Sequence, residues 1–174
     1  MDGQSSKWRG PGIVVAVVAS LAVVGLGVSA LMFSHWSDLE DATAPEVSEA
    51  FAAAITHAGG PATYLQIDSE GRVQVNRELE GDHPTKLRTL HLLAWDPQQG
   101  KILQVAFPYW FVRVKMNDRI NLGTITSALS HDWDNLDLKV SMKELELRGP
   151  GVVLDHTRAN GMRVLLWNEA AEAP

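Results

Sequence analysis

Apolar positions change their period along the chain, and the changes mark its elements. From Ile13 to Phe33 there is no period at all: IVVAVVASLAVVGLGVSALMF is 21 residues without a charge, inside an uncharged stretch from Gly10 to Ser34. As a helix rising 1.5 Å per residue it would measure about 31 Å, the thickness of a bilayer's hydrocarbon core. One helix satisfies its own backbone in lipid, which one strand does not. The pattern predicts a transmembrane helix over 13–33, with a tail over 1–12 before it and a short acidic linker over 34–44 after it.

Helical period returns next. Val47, Phe51, Ala54, Ile55 and Ala58 make one stripe, predicting a helix over 45–58 that needs a surface to pack on. Thr43 and Glu46 have capping-box spacing, Pro45 suits the first turn, and Gly59-Gly60 ends the element. After Pro61 the period shortens to two. Residues 63–67 and 72–79 predict a hairpin around Asp68–Gly71, and 87–95 with 101–107 a second across Asp96-Pro-Gln-Gln-Gly100. A third, 152–156 with 162–167, turns through Asn160-Gly161. The spacing of Ile120, Leu122, Ile125 and Leu129 predicts a helix over 120–129. Ser141 and Glu144 open a short one that ends near Arg148, before Gly149-Pro150-Gly151. Three hairpins with two or three helices, lacking regular β–α alternation, imply an α+β domain over 45–169 and a tail over 170–174. Its sheet is expected to be mostly antiparallel, with the helices on one side.

Charge orients the chain. Lys7 and Arg9 precede the apolar run, and the next Lys or Arg after it is Arg72; Asp38, Glu40, Asp41, Glu46 and Glu49 come first. The positive-inside rule then predicts a cytoplasmic N-terminus and an extracytoplasmic domain, periplasmic if the membrane is a bacterial inner membrane. Trp8 and Trp36 flank the run, where they would meet the two headgroup layers together with Lys7 and Arg9. Ala22, Gly25 and Ser29 share one helical face whose small side chains would admit another transmembrane helix. A cleaved signal peptide is the competing reading, because Val28-Ser29-Ala30 suits a cut after Ala30. Against it, the run is long for such a peptide and continues through Leu31-Met32-Phe33. The stretch Gly25-Leu-Gly27-Val-Ser-Ala30 matches the letters of a dinucleotide-binding turn but follows no strand, so it is discounted.

Two stretches, Leu92-Leu-Ala-Trp-Asp-Pro-Gln-Gln-Gly-Lys-Ile-Leu-Gln-Val105 and Gly149-Pro-Gly-Val-Val-Leu-Asp-His156 with Asn160-Gly-Met-Arg-Val-Leu-Leu-Trp167, carry a family resemblance. The first reads as a strand–Asp–turn–Gly–Lys–strand unit, and the second closes on a strand that follows Asn160-Gly161 and ends in Trp167. Over 87–167, under half the chain, they resemble uncharacterised bacterial envelope-associated domains, the C-terminal part of YvlB-like proteins. The resemblance implies an envelope setting and an antiparallel fold, and brings no activity with it.

Composition adds mainly exclusions. A chain of 174 residues with net charge −6 holds one folded unit and offers no general basic surface for nucleic acid. Without Cys there is no thiol nucleophile, thiolate zinc site or disulfide. The histidines, at 35, 57, 83, 91, 131 and 156, include no pair at helical ligand spacing. The acidic stretch His131-Asp132-Trp-Asp134-Asn-Leu-Asp137 resembles a calcium loop, yet lacks its turn glycine and has Lys143 where the bidentate Glu belongs. No G-x-S-x-G elbow and no phosphate-binding loop occur. No metal and no cofactor is expected, and no catalytic residue is assigned.

The densest aromatic stretch is ILQVAFPYWFVRVK, residues 102–115. Alternating Leu103, Val105, Phe107 and Tyr109 suit a core, while Pro108 favours an edge or a break. Phe107, Tyr109, Trp110, Phe111 and Arg113 also form a candidate interaction patch, with Trp110 its exposed member. These features together predict a non-enzymatic, single-pass accessory subunit of a larger membrane complex, for which a photosynthetic or respiratory assembly is one setting. Its partners would be the bilayer and other membrane-protein subunits. Two alternatives are an envelope sensor binding a peptide or small ligand, and a membrane-tethered hydrolase or metalloenzyme.

Overall fold

The computed structural model describes residues 37–115, 120–121, 137–138 and 140–171. The predicted span 13–33 lies outside them, and no helix among the described residues is long and apolar enough to cross a membrane. What they form is a mixed α+β domain. Strands β1 (Ser37–Asp41), β2 (Leu65–Ile67), β3 (Val73–Val75), β4 (Leu87–Asp96), β5 (Lys101–Pro108), β8 (Gly151–Thr157) and β9 (Arg163–Ala170) make one seven-stranded sheet in the order β1-β5-β4-β9-β8-β2-β3. Every pairing is antiparallel except β2 with β8. Strands β6 (Ile120–Asn121) and β7 (Asp137–Leu138) pair separately. The helices are α1 (Ala44–His57), α2 (Tyr109–Lys115) and α3 (Met142–Arg148).

The expected turns close as their residues require. In the β4–β5 hairpin the Asp96 carboxylate accepts the Gln98 N–H at 2.8 Å. In β8–β9 Asn160 Oδ1 accepts the Met162 N–H at 3.2 Å, and Gly161 takes the left-handed φ of 84° that a side chain would strain. Helix α1 starts where its capping box predicts, with the Glu46 carboxylate accepting the Thr43 N–H at 2.8 Å and the Thr43 hydroxyl at 2.6 Å. Those bonds hold the Glu46 pKa below the usual carboxylate range. Helix α3 repeats the device with Ser141 and Glu144.

The sheet is covered on both faces. Val47 and Phe51 of α1 pack on Leu93, Val152, Leu165 and Trp167. On the opposite face Leu90, Leu92, Leu103, Val105, Val164 and Leu166 are fully buried as well. There Phe111 of α2 stacks on Phe107 at 6.1 Å, and the buried Tyr109 hydroxyl donates to the Met142 carbonyl at 3.3 Å, tying α2 to α3. Burial raises the Tyr109 pKa, so this phenol keeps its proton.

Five expectations are corrected. The helices do not sit on one side; they flank the sheet from both. Residues 37–41, read as linker, form an edge strand, because β5 offers them a register from Ser37↔Val105 to Asp41↔Lys101. The strand expected over 72–79 stops at Val75 and gives way to a 3-10 turn, Arg77–Leu79, opened by Asn76 accepting the Glu78 N–H. At 120–129, expected as helix, Ile120 and Asn121 are a strand held by Leu138 and Asp137, and the rest lies outside the described residues. The 170–174 tail also begins one residue late, since β9 includes Ala170.

Candidate functional site

Antiparallel neighbours share a face, so pairing places side chains on either side of the sheet. Leu93 is opposite Gln104, and Gln104 is opposite Asp38; Trp95 is opposite Ile102, and Ile102 is opposite Glu40. Asp38, Glu40, Ile102, Gln104 and Leu93 therefore line the face that α1 covers. After Asp41 the chain turns back over this face, with the Ala42 N–H donating to the Gly100 carbonyl at 2.8 Å. Helix α1 then crosses above Leu93, Leu165 and Trp167, with Phe51 inserted between helix and sheet.

Beside Phe51 the helix carries only small side chains. Ala50, Ala53 and Ala54 end at a methyl and leave a gap between α1 and strands β1 and β5. One part of the gap, about 340 Å³, has Leu93, Ile102 and Gln104 as floor and Ala50 as wall, with Asp38, Glu40, Asp41 and Glu46 around its mouth. A second part, about 330 Å³, shares Ala50, Leu93 and Gln104 and continues past Ala53 and Ala54 to Trp167 and His57. The two make one groove along α1, apolar at the bottom and acidic at the β1 end. Its outer wall, β1, is the last strand of the sheet and leaves one row of backbone groups unpaired by any described strand.

The lining sets carboxylates beside apolar side chains and one amide. Carboxylates at a mouth favour cationic groups, Leu93, Ile102 and Ala50 offer apolar surface, and Gln104 supplies an amide that donates and accepts. Elsewhere, polar clusters serve the fold. Arg163 holds Asp155 through two bonds at 3.0 and 2.7 Å, with its guanidinium 4.4 Å from the Phe51 ring centre. His91 stacks on Trp167 at 4.8 Å and meets Glu169 at 3.1 Å. The buried Tyr64 hydroxyl donates to Glu80 at 2.7 Å, and Arg77 joins Glu80 to Glu144. Among the described residues no group of three or more His, Asp or Glu side chains is arranged to hold a metal ion.

The patch expected around Pro108 is divided by the structure. Strand β5 ends at Pro108 and α2 starts at Tyr109, the break that Pro favours. Phe107 and Tyr109 belong to the core, and Phe111 is half-buried against Phe107. Trp110 is 57% exposed, its ring edge-on to Phe111 at 5.9 Å. Arg113 is exposed and ion-paired with Glu146 of α3. Val114, not part of the expected patch, is exposed beside them. Ala22, Gly25, Ser29, Lys7, Arg9, Trp8 and Trp36 lie outside the described residues, as do His131 and the acidic positions Asp132 and Asp134. The sequence does not disclose the groove, because its wall has the charge of a linker; the faint signal is an acidic stretch followed by an alanine-rich helix. No protein family, curated protein or solved structure matches the chain.

Proposed function

We propose that this protein is a non-enzymatic, single-pass accessory subunit of a membrane complex, held in a bacterial inner membrane by residues 13–33 with its N-terminus cytoplasmic. In this reading Ala22, Gly25 and Ser29 pack on a partner's transmembrane helix, and the groove along α1 receives a cationic, partly apolar segment of the same complex. The observation that carries it is a juxtaposition. An uncharged run of 21 residues ends at Phe33, and a domain with an open, acidic-mouthed groove begins at Ser37. A domain tethered in this way meets membrane neighbours at high effective concentration, so a shallow groove is enough for a specific contact. The envelope setting implied by the resemblance over 87–167 agrees with this.

The test is recovery of partners from full-length protein purified in mild detergent. Ala53 is exposed and lines the groove, so Ala53→Trp should fill it, spare the fold and lose the partner, while Ala53→Ser keeps it. A partner retained by Ala53→Trp would remove the groove from the proposal. A second reading, a sensor for a small ligand or peptide, draws on the groove's volume, which is in the range of small-molecule sites. It calls instead for ligand-dependent stabilisation of the isolated, monomeric protein.

A further inference from the structure

Strand β1 is five residues long and forms one edge of the seven-stranded sheet. Its register with β5 decides which of its backbone groups are used. The Ala42 N–H donates to the Gly100 carbonyl, one step beyond the pair Asp41↔Lys101. Bonded pairs alternate along an antiparallel ladder, so Glu40 with Ile102 and Asp38 with Gln104 continue the bonded series. Leu39 and Asp41 therefore turn their N–H and C=O groups away from β5, to the side where no described strand follows. Asp38, Leu39, Glu40 and Asp41 are all exposed.

The same alternation sorts the side chains. Asp38 and Glu40 stand on the groove face at the mouth, and neither forms an ion pair among the described residues. Leu39, 45% exposed, stands on the opposite face. An open edge pairs readily with another copy of itself. Here, a second β1 laid antiparallel about Leu39 would put Asp38 opposite Glu40 in both copies. Like charges directly opposite destabilise a cross-strand pair, so the acids disfavour the second copy and select a strand of opposite charge.

We infer that β1 is extended by an added strand: an antiparallel peptide segment of a partner, with Lys or Arg at alternate positions and β-branched apolar residues between them. The residues opposite Leu39 and Asp41 exchange backbone hydrogen bonds with β1, and the apolar one opposite Leu39 packs on it. The residues opposite Asp38 and Glu40 share the groove face with them. There a Lys or Arg stem lies across one strand spacing of about 4.8 Å and carries its charge over the two carboxylates. Backbone pairing supplies the affinity. The alternation fixes the register, because a slip of one residue would set apolar side chains against the acids. This inference rests on the reading that the acidic end of the groove meets a cationic segment, and it gives that segment a conformation and a register.

The probe is the capped, fluorescently labelled peptide Lys-Val-Lys-Val-Lys-Val-Lys, titrated with the full chain in an uncharged detergent and followed by fluorescence anisotropy. Two further peptides carry backbone N-methyl groups, one on its valines and the other on the lysine before each valine. Methylating a valine removes an N–H that faces β1, whereas methylating a lysine removes one that faces away. The expected result is that the valine-methylated peptide binds about tenfold or more weakly than the parent, and the lysine-methylated one within about threefold of it. Asp38→Asn combined with Glu40→Gln should weaken the parent about tenfold at low salt. Equal binding of the two methylated peptides would overturn strand addition, leaving contact by charge alone. A dimer of the full chain that Leu39→Pro dissociates would overturn it as well, because a second copy then holds the edge. The groove reading fails separately. Ala53→Trp fills the groove and leaves the β1 backbone untouched, so a partner lost by that variant together with no binding of the parent peptide sinks the added strand and spares the groove.

Discussion

Phe51 is the side chain on which the groove's geometry depends, and removing it gives a worked test. It is fully buried between α1 and the sheet, against Leu93, Leu165 and Trp167, and its ring carries the Arg163 guanidinium 4.4 Å from its centre. Truncating a buried Phe to Ala costs about 3–5 kcal/mol in transfer and cavity terms. Losing a partly desolvated cation–π contact adds about 0.5–2 kcal/mol. Partial collapse of α1 into the gap recovers some of this, so Phe51→Ala should destabilise the domain by about 4 kcal/mol, a large part of a typical total of about 5–15 kcal/mol. With a urea m-value of about 2 kcal/mol per molar, the midpoint should fall by about 2 M. Full-length protein in mild detergent, followed by tryptophan fluorescence, gives the measurement; Trp167 packs in the same cluster as Phe51. A double-mutant cycle of Phe51→Leu with Arg163→Met should return a coupling of about 0.5–2 kcal/mol. A loss below about 1 kcal/mol for Phe51→Ala would refute the reasoning, since α1 would not then be clamped to the sheet and the groove would have no fixed wall.

Further predictions test other parts of the structure. Gly151 sits at φ +130° with the Arg148 guanidinium where a Cβ would go, so Gly151→Ala should cost about 1–3 kcal/mol, read as a lowered thermal midpoint. Tyr64→Phe removes the donor to Glu80 within a buried setting and should cost about 1–2 kcal/mol by urea titration; no change would show that water replaces the hydroxyl. The Glu144 pKa is held below its ordinary value of 4.5 chiefly by the Ser141 N–H, with the Ser141 hydroxyl and Arg77 adding to it. A lowered folded-state pKa contributes stability that is complete above the unfolded value and is lost as pH falls through the folded one. Stability should therefore decline as pH drops below about 4.5, and Glu144→Gln should flatten part of that decline; an unchanged acid profile would argue against the capping role.

Much of the fold could be read from local chemistry. The α1 capping box, its Val47–Phe51 stripe and the Asp-Pro and Asn-Gly turns act within a few residues, and the structure places them where the pattern does. What was not legible depended on distant partners. Ser37–Asp41 has the charge of a linker and becomes a strand because β5, some sixty residues on, offers it a ladder. Ile120 and Asn121 have helical spacing but follow the pairing of Leu138 and Asp137. The two-sided cover of the sheet did leave a trace. Leu92-Leu93-Ala94 and Val164-Leu165-Leu166-Trp167 are apolar without alternation, the mark of central strands buried on both faces. At residues 102–115 the sequence carried both outcomes at once, since Phe107 and Tyr109 went to the core while Trp110 and Val114 turned outward. The groove depends on what Ala50, Ala53 and Ala54 fail to fill, and a volume left empty between nonlocal elements has no signature in one segment.

The account stands on residues 13–33 remaining in the membrane. Alkaline carbonate extraction of membranes from cells expressing the full chain, followed by intact mass measurement, tests this most directly. The account predicts that the protein stays in the pellet with residues 1–33 still attached. A carbonate-extractable polypeptide whose mass corresponds to a start at Leu31 would contradict it.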